Sequence, residues 1–131
     1  MTPTARPRSA RYRSQPDVAT AMAAPWQPSE KQFMALFTDI AGRLGWAVYH
    51  PFDSRRSTAG FPDLTLVRPP RLVFVELKVG TYQPTDAQLA WLDLLAQCGV
   101  EAYVMRSTGD RVQDAMGIGR LLTEKPEQVA A

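Results

Sequence analysis

The sequence predicts an α/β domain in which a central mixed sheet is flanked by helices, with the element order αβββαβα. Two observations support this prediction. Capping-box sequences at residues 29–32 and 85–88 each precede apolar residues at helical spacing. Residues 63–67 and 71–78 are β-branched and apolar, which is typical of strands. Strands with helices on both sides in the chain favour a sheet that is covered on both faces.

The first half of the chain predicts a helix, a short strand and a loop. Ser29 can cap a helix over residues 30–44, and Gly45 is placed to end it. A strand at residues 46–50 follows. Residues 52–60 are polar and end in a glycine, so they are predicted to form a loop.

A hairpin is predicted next, because Pro69-Pro70 favours a tight reversal between the strands at 63–67 and 71–78. The second of these strands is apolar on both faces as far as Glu76, which is typical of a central strand.

The remaining elements are two helices and a strand. A helix that begins after residues 85–88 ends at Gly99, and a fourth strand occupies residues 100–106. A weaker helix at 110–122 contains two glycines.

Length and composition favour one domain that needs no cross-link. The chain has 131 residues, 45% of them apolar, and Cys98 is its single cysteine, so an internal disulfide is excluded. We expect a cytoplasmic protein, since no secretory leader is recognisable and no apolar run approaches the ~20 residues of a membrane span.

The charge is unevenly distributed along the chain. Residues 1–28 contain four arginines and one aspartate, a net charge of +3, which leaves −1 for residues 29–131. We therefore predict a flexible basic arm at 1–27, a folded domain at 28–124 and a short tail at 125–131. The arm either contacts phosphates or only aids solubility, and its candidate phosphate contacts are Arg6, Arg8, Arg11 and Arg13.

Three charged residues stand where folding alone would not place them. Glu76 and Lys78 lie at positions i and i+2 of the predicted central strand, so their side chains share one face. Pairing through the Pro69-Pro70 turn sets residues whose numbers sum to about 139 opposite each other, which places Asp63 across from Glu76. Two carboxylates and one ammonium therefore converge at one end of the sheet.

Two explanations account for this cluster. Lys78 alone could balance the two carboxylates, or a divalent cation with oxygen ligands could satisfy both. In the second case Asp63, Glu76 and the backbone carbonyl of Leu77 offer oxygens suited to Mg²⁺ or Mn²⁺.

The sequence Gly60-Phe61-Pro62-Asp63, followed by Glu76-Leu77-Lys78, resembles the PD…(D/E)xK signature of restriction endonuclease-like nucleases. With the αβββαβ order and a glutamine at the start of the second helix, the chain is similar to the stand-alone VRR-NUC nucleases of phages and bacteria. The resemblance covers residues 29–106 and implies metal-dependent phosphodiester hydrolysis. It makes Asp63 and Glu76 metal ligands, and it makes Lys78 the residue that orients the attacking water.

The resemblance also implies roles for two helix residues, each of which has a structural alternative. Glu30 would bind a second metal ion or its water, unless it only complements the helix dipole. Gln88 would contact the metal-bound water or Lys78, unless it only completes the capping box.

Phosphate and base contacts are expected from the loop and from aromatic residues. Arg55 and Arg56 are candidate phosphate ligands just before the signature. Trp26 and Tyr82 are candidates for stacking on unpaired bases, whereas Trp46 and Trp91 are expected to be buried in the core or an interface.

The resulting functional hypothesis is a Mg²⁺- or Mn²⁺-dependent, structure-selective DNA endonuclease in a bacterial or phage-infected cytoplasm. The resemblance implies a homodimer that resembles Holliday-junction resolvases and acts on branched or junction DNA, with no membrane partner. The alternatives are a nuclease for flaps, nicks or single strands, and a nucleic-acid-binding module of the same fold without catalysis.

Overall fold

A computed structural model describes residues 25–51 and 58–124 of the chain. Seven elements occur in the predicted order: α1 (Glu30–Arg43), β1 (Ala47–Tyr49), β2 (Leu64–Arg68), β3 (Arg71–Lys78), α2 (Asp86–Gln97), β4 (Glu101–Arg106) and α3 (Arg111–Thr123). The ends of six elements lie within one residue of the sequence prediction, whereas α2 begins inside the predicted capping box and ends two residues before Gly99. Both predicted capping boxes are formed, and Gly45 follows α1 with a φ of 82°.

The four strands form one mixed sheet in the order β1-β2-β3-β4. The first two pairs are antiparallel, and β3 pairs with β4 in parallel. Arg68 pairs with Arg71 across the Pro69-Pro70 turn, and Leu64 pairs with Val75, which is the predicted register. Strand β3 therefore has a neighbour on each side, as its apolar sequence indicates.

One face of the sheet, the core face, is covered by α1 and α3. Its buried side chains come from the sheet and from both helices, and they include Phe33, Phe37, Leu64, Leu66, Val73, Val75, Leu77, Ile118 and Leu122. This cluster is the hydrophobic core of the domain.

The opposite face, the α2 face, is covered over only part of its area. Phe61 packs edge-on against Phe74 of β3 and Trp91 of α2, with ring centroids 5.9 and 5.2 Å apart. Nearer the hairpin turn, Val67 and Leu72 stay partly exposed. The prediction of a sheet flanked by helices is thus confirmed, with fuller cover on the core face.

A half-buried ion pair joins β3 and β4 at the end remote from Glu76. The Arg71 guanidinium donates to both carboxylate oxygens of Glu101, at 2.9 and 2.6 Å, and also lies over the ring of Trp46. The Trp46 indole is buried and donates to the backbone carbonyl of Leu122. Its predicted burial is confirmed, and it connects the sheet to α3.

Among the described residues, no helix is both long enough and apolar enough to cross a membrane.

Candidate functional site

The predicted charged cluster lies in a cleft of about 360 Å³ at the end of the sheet. We call it the carboxylate cleft. Five predicted site residues line it, namely Glu30, Asp63, Glu76, Lys78 and Gln88. Four separate parts of the chain supply them: the start of α1, the residue before β2, the end of β3 and the start of α2.

Asp63 is held in place by the backbone of the central strand β3. Its Oδ2 accepts a hydrogen bond of 2.8 Å from the backbone N–H of Leu77. This contact follows from the hairpin register, because Leu64 pairs with Val75 and the chain before Leu64 continues alongside Glu76. The predicted juxtaposition of Asp63 with the Glu76 segment is therefore observed.

Glu76 and Lys78 are buried on the α2 face, with 2% and 7% of their surfaces exposed. Lys78 Nζ lies 3.4 Å from Glu76 Oε1. Within the described residues, the other oxygen, Oε2, is buried without a hydrogen-bond partner. A buried carboxylate oxygen without a partner is costly, because the protein has removed its hydration and replaced it with nothing.

The electrostatic state of Glu76 reflects this environment. Burial, and then the nearby charge of Asp63, raise its pKa from 4.5 to about 7, while Lys78 acts in the opposite direction. Lys78 therefore does not fully compensate the two carboxylates. The first sequence-based explanation, a lysine that balances the cluster alone, accounts for only part of the charge.

Gln88 completes the capping box, as one of the two predicted alternatives states, and it also contacts Glu76; the predicted contact with a metal-bound water or Lys78 stays a prediction. Its Oε1 accepts from the backbone N–H of Thr85 at 2.9 Å and completes the capping box. Its Nε2 donates to Glu76 Oε1 at 2.8 Å. The two ends of one amide thus connect the start of α2 to the buried carboxylate.

The donor set fits a divalent cation. Asp63 and Glu76 provide hard oxygen ligands close to one another, and the unpartnered Glu76 Oε2 is available for coordination. Glu30 lines the same cleft, but no group of three or more Asp, Glu, His or Cys side chains within residues 25–51 and 58–124 is close enough to hold an ion. A site at Asp63 and Glu76 therefore needs backbone, water or substrate oxygens as further ligands.

Gly60, at the end of the predicted loop, brings that loop into close contact with α2. Gly60 has a φ of 90°, and a Cβ at this position would lie 2.5 Å from the carbonyl carbon of Ala87 in α2. Only glycine allows the loop to approach the start of α2 so closely before it reaches Asp63. The position of Gly60 just before Phe61-Pro62-Asp63 was the signal for this role.

The predicted phosphate contacts at Arg55, Arg56 and the arm arginines Arg6, Arg8, Arg11 and Arg13 lie outside the described residues, so they stay predictions. A ligand role of the Leu77 carbonyl also stays a prediction, although Leu77 itself lies in the described strand β3.

The mixed four-stranded sheet and the charged cleft are the features that the sequence resemblance predicts for a restriction endonuclease-like nuclease domain. A model of the VRR-NUC domain family matches residues 19–109, and the chain belongs to that family.

Comparisons with individual proteins add little to the family assignment. The chain is similar to the Holliday junction resolvase Hjc of the archaeal hyperthermophile Archaeoglobus fulgidus, with 18% sequence identity and a TM-score of 0.46. The match covers 59% of this chain and 65% of the resolvase, which is less than two thirds of that protein's length. No curated protein matches the sequence.

Proposed function

We propose that this VRR-NUC protein is a Mg²⁺- or Mn²⁺-dependent DNA endonuclease whose reaction takes place in the carboxylate cleft. The observation that supports the proposal is the buried Glu76, which has one oxygen without a partner among the described residues and a second carboxylate, Asp63, beside it. A DNA-binding surface without catalysis has no use for two such carboxylates, because they repel phosphate.

In this proposal Asp63 and Glu76 hold the cation, with the Leu77 carbonyl as a further ligand. When bound, the cation supplies charge for the scissile phosphate and lowers the pKa of a coordinated water. Gln88 fixes the orientation of Glu76 through the 2.8 Å hydrogen bond. Glu30, at the rim of the same cleft, positions a second ion or a water.

Lys78 is the proposed catalytic cation of the chain itself. Its ammonium is buried in the cleft and is held by Glu76, so it is fixed without help from solvent. From this position it orients the attacking water and stabilises the additional negative charge that develops on the phosphate. An oriented charge in a site with little water is more effective than one in solution.

We further propose that the substrate is branched DNA, with four-way junctions first, and that a homodimer presents one cleft to each of the two scissile strands. The described domain offers few phosphate contacts by itself, and a second copy doubles them. The arginines of the arm and of residues 55–56 extend the contact to neighbouring phosphates.

A cleavage panel tests these proposals. Junction, flap, nicked, duplex and single-stranded DNA are incubated with Mg²⁺, Mn²⁺ or a chelator, using wild type, Lys78→Met and the control Lys31→Met. We expect metal-dependent cutting that Lys78→Met reduces at least a hundredfold, because electrostatic stabilisers of this kind contribute about 10²–10³ in rate. Lys31 is exposed on α1 and does not line the cleft, so its variant should cut normally.

The outcomes separate the parts of the proposal. Binding without cutting on every substrate and metal identifies a non-catalytic binding module. Cutting that prefers flaps, nicks or single strands removes the junction assignment but keeps the nuclease. Normal cutting by Lys78→Met removes the role given to that lysine, and the mass of the protein measured in solution tests the dimer.

A further inference from the structure

A second cleft, of about 500 Å³, opens beside the carboxylate cleft. We call it the aromatic cleft, because the side chains of Trp26 and Tyr82 both line it. Its other walls are the segments that follow the parallel strands β3 and β4, residues 79–80 and 107–109. The nuclease reaction proposed above makes no use of this cleft.

Trp26 is fixed in its wall by two interactions. Its Nε1 donates to Asp114 Oδ2 at 2.7 Å, and the Arg111 guanidinium lies 5.1 Å from its ring centroid. Asp114 is 4% exposed and also accepts hydrogen bonds from Ser107 and Thr108. Burial opposes the ionisation of Asp114, but these hydrogen bonds outweigh it and lower its pKa. The indole is thus bound to a carboxylate that is ionised at neutral pH.

The opposite wall is fixed by Arg106 at the end of β4. Its guanidinium donates to the carbonyls of Gly80 and Tyr82, at 2.6 Å each. The backbone that carries Tyr82 is therefore held, while the residue itself stays 71% exposed. An exposed aromatic ring on a fixed backbone loses little conformational entropy when a ligand stacks on it.

Two stretches of chain border both clefts. In the first stretch, Pro28 lines the aromatic cleft and Glu30 lines the carboxylate cleft. In the second stretch, Lys78 lines the carboxylate cleft, and Val79 and Gly80 line the aromatic cleft. Lys78 and Gly80 are two residues apart in the chain, so the backbone segments that border the two clefts are separated by at most ~7.6 Å. A DNA strand with its phosphate at Lys78 can therefore place a neighbouring nucleotide in the aromatic cleft.

We propose that the aromatic cleft binds an unpaired base of the DNA strand that is cut, with Tyr82 and Trp26 as the stacking surfaces. Arg111 adds positive charge beside the indole for the backbone of that nucleotide. The inference rests on the proposed nuclease function and extends it, because the site would select DNA in which bases next to the scissile phosphate are unpaired. Paired bases in an intact duplex are stacked on each other and cannot enter.

The experiment compares two single strands of equal length and charge, an oligothymidylate and an oligomer of abasic deoxyribose phosphates. Binding is measured in Ca²⁺, with product analysis to verify that both oligomers stay intact. We expect wild type to prefer the strand with bases by roughly 5- to 150-fold, which is the contribution of stacking on one base. Tyr82→Ala should lose most of that preference without a change in its binding of the abasic strand.

Two controls make the test specific. Tyr82→Phe keeps the ring and should bind as wild type does. Tyr49→Ala removes a tyrosine of similar exposure, 64%, from the edge strand β1 and should change nothing. Three results would each overturn the proposal that the aromatic cleft binds a base. They are an equal loss of affinity for both strands in Tyr82→Ala, an undiminished preference in that variant, and no preference in wild type.

A cleavage assay on the same proteins separates this inference from the function on which it rests. If wild type shows the base preference but cuts no substrate, the aromatic cleft stands and the nuclease proposal fails. If wild type cuts normally and Tyr82→Ala keeps the full preference, the nuclease stands and the aromatic cleft fails.

Discussion

The buried carboxylate of Glu76 makes the metal-free protein less stable as the pH rises, and Glu76→Gln should remove that dependence. In the fold, burial and the charge of Asp63 raise the Glu76 pKa from 4.5 to about 7. A carboxyl group whose pKa is raised by folding stabilises the fold below the unfolded pKa, and this contribution is lost as the pH rises through the folded pKa. Glutamine keeps the acceptor oxygen for Gln88 but cannot ionise.

The magnitude follows from the displacement of the pKa. At about 1.4 kcal/mol for each tenfold change in proton affinity, ionising Glu76 at about pH 8 costs the metal-free fold on the order of 3 kcal/mol. At about pH 5 most of this cost is absent, because Glu76 is protonated in the fold. The unfolding free energy of Glu76→Gln relative to wild type should therefore rise by about 2–3 kcal/mol between these two pH values.

Urea unfolding in a chelator, followed by circular dichroism at a series of pH values, measures this difference. Asp39→Asn is the matched control, since Asp39 is an exposed carboxylate paired with Arg43 on α1. Added Mg²⁺ or Mn²⁺ should stabilise wild type at high pH and leave Glu76→Gln nearly unchanged, because ligands that bind only the native state raise its stability. Parallel pH curves for wild type and Glu76→Gln would refute the reasoning.

Four further predictions concern other parts of the molecule. Gly60→Ala should lower the unfolding free energy by roughly 1–3 kcal/mol, through its Cβ and its positive φ, whereas Gly42→Ala on the exposed side of α1 should stabilise slightly. Asp114→Asn should cost roughly 1–3 kcal/mol in urea unfolding at neutral pH, and less as the pH falls, since wild type then loses the contribution of the ionised carboxylate. In a chelator, Gln88→Glu should melt at a lower temperature than wild type near neutral pH. The glutamate keeps an oxygen that accepts from the Thr85 backbone N–H, but its other carboxylate oxygen replaces the amide that donates to Glu76 and therefore repels that carboxylate. Deletion of residues 1–24 should flatten the salt dependence of DNA binding in a fluorescence titration, and an unchanged slope would mean that the arm contacts no phosphates.

The hairpin and the charged cluster could be predicted from sequence because their information is local. The Pro69-Pro70 turn sets the register, and the register sets Asp63 beside the Glu76 segment. The two capping boxes likewise identify the starts of α1 and α2 within a few residues. These features depend on short separations in the chain, where turn and cap chemistry decide the geometry.

Other features depend on packing between distant segments and could not be predicted in this way. The contact between Trp26 and Asp114 joins residues 88 positions apart, and nothing in either local sequence indicates the other. The capping box alone is a sufficient reason for a glutamine at position 88. The hydrogen bond of Gln88 to Glu76 depends on how α2 lies relative to β3, which the local sequence does not indicate. Trp26 and Tyr82 are separate stacking candidates in the sequence, and the fold places them around one cleft.

The position of Glu76 and Lys78 on β3 also determines how the site responds to heat. This strand is hydrogen-bonded to β2 on one side and to β4 on the other, and its core face lies under α1 and α3. A segment with so many neighbours exchanges its amide hydrogens only when the whole domain opens. The proposed nuclease activity should therefore disappear at the same temperature as the fold, with no earlier step in which β3 alone melts.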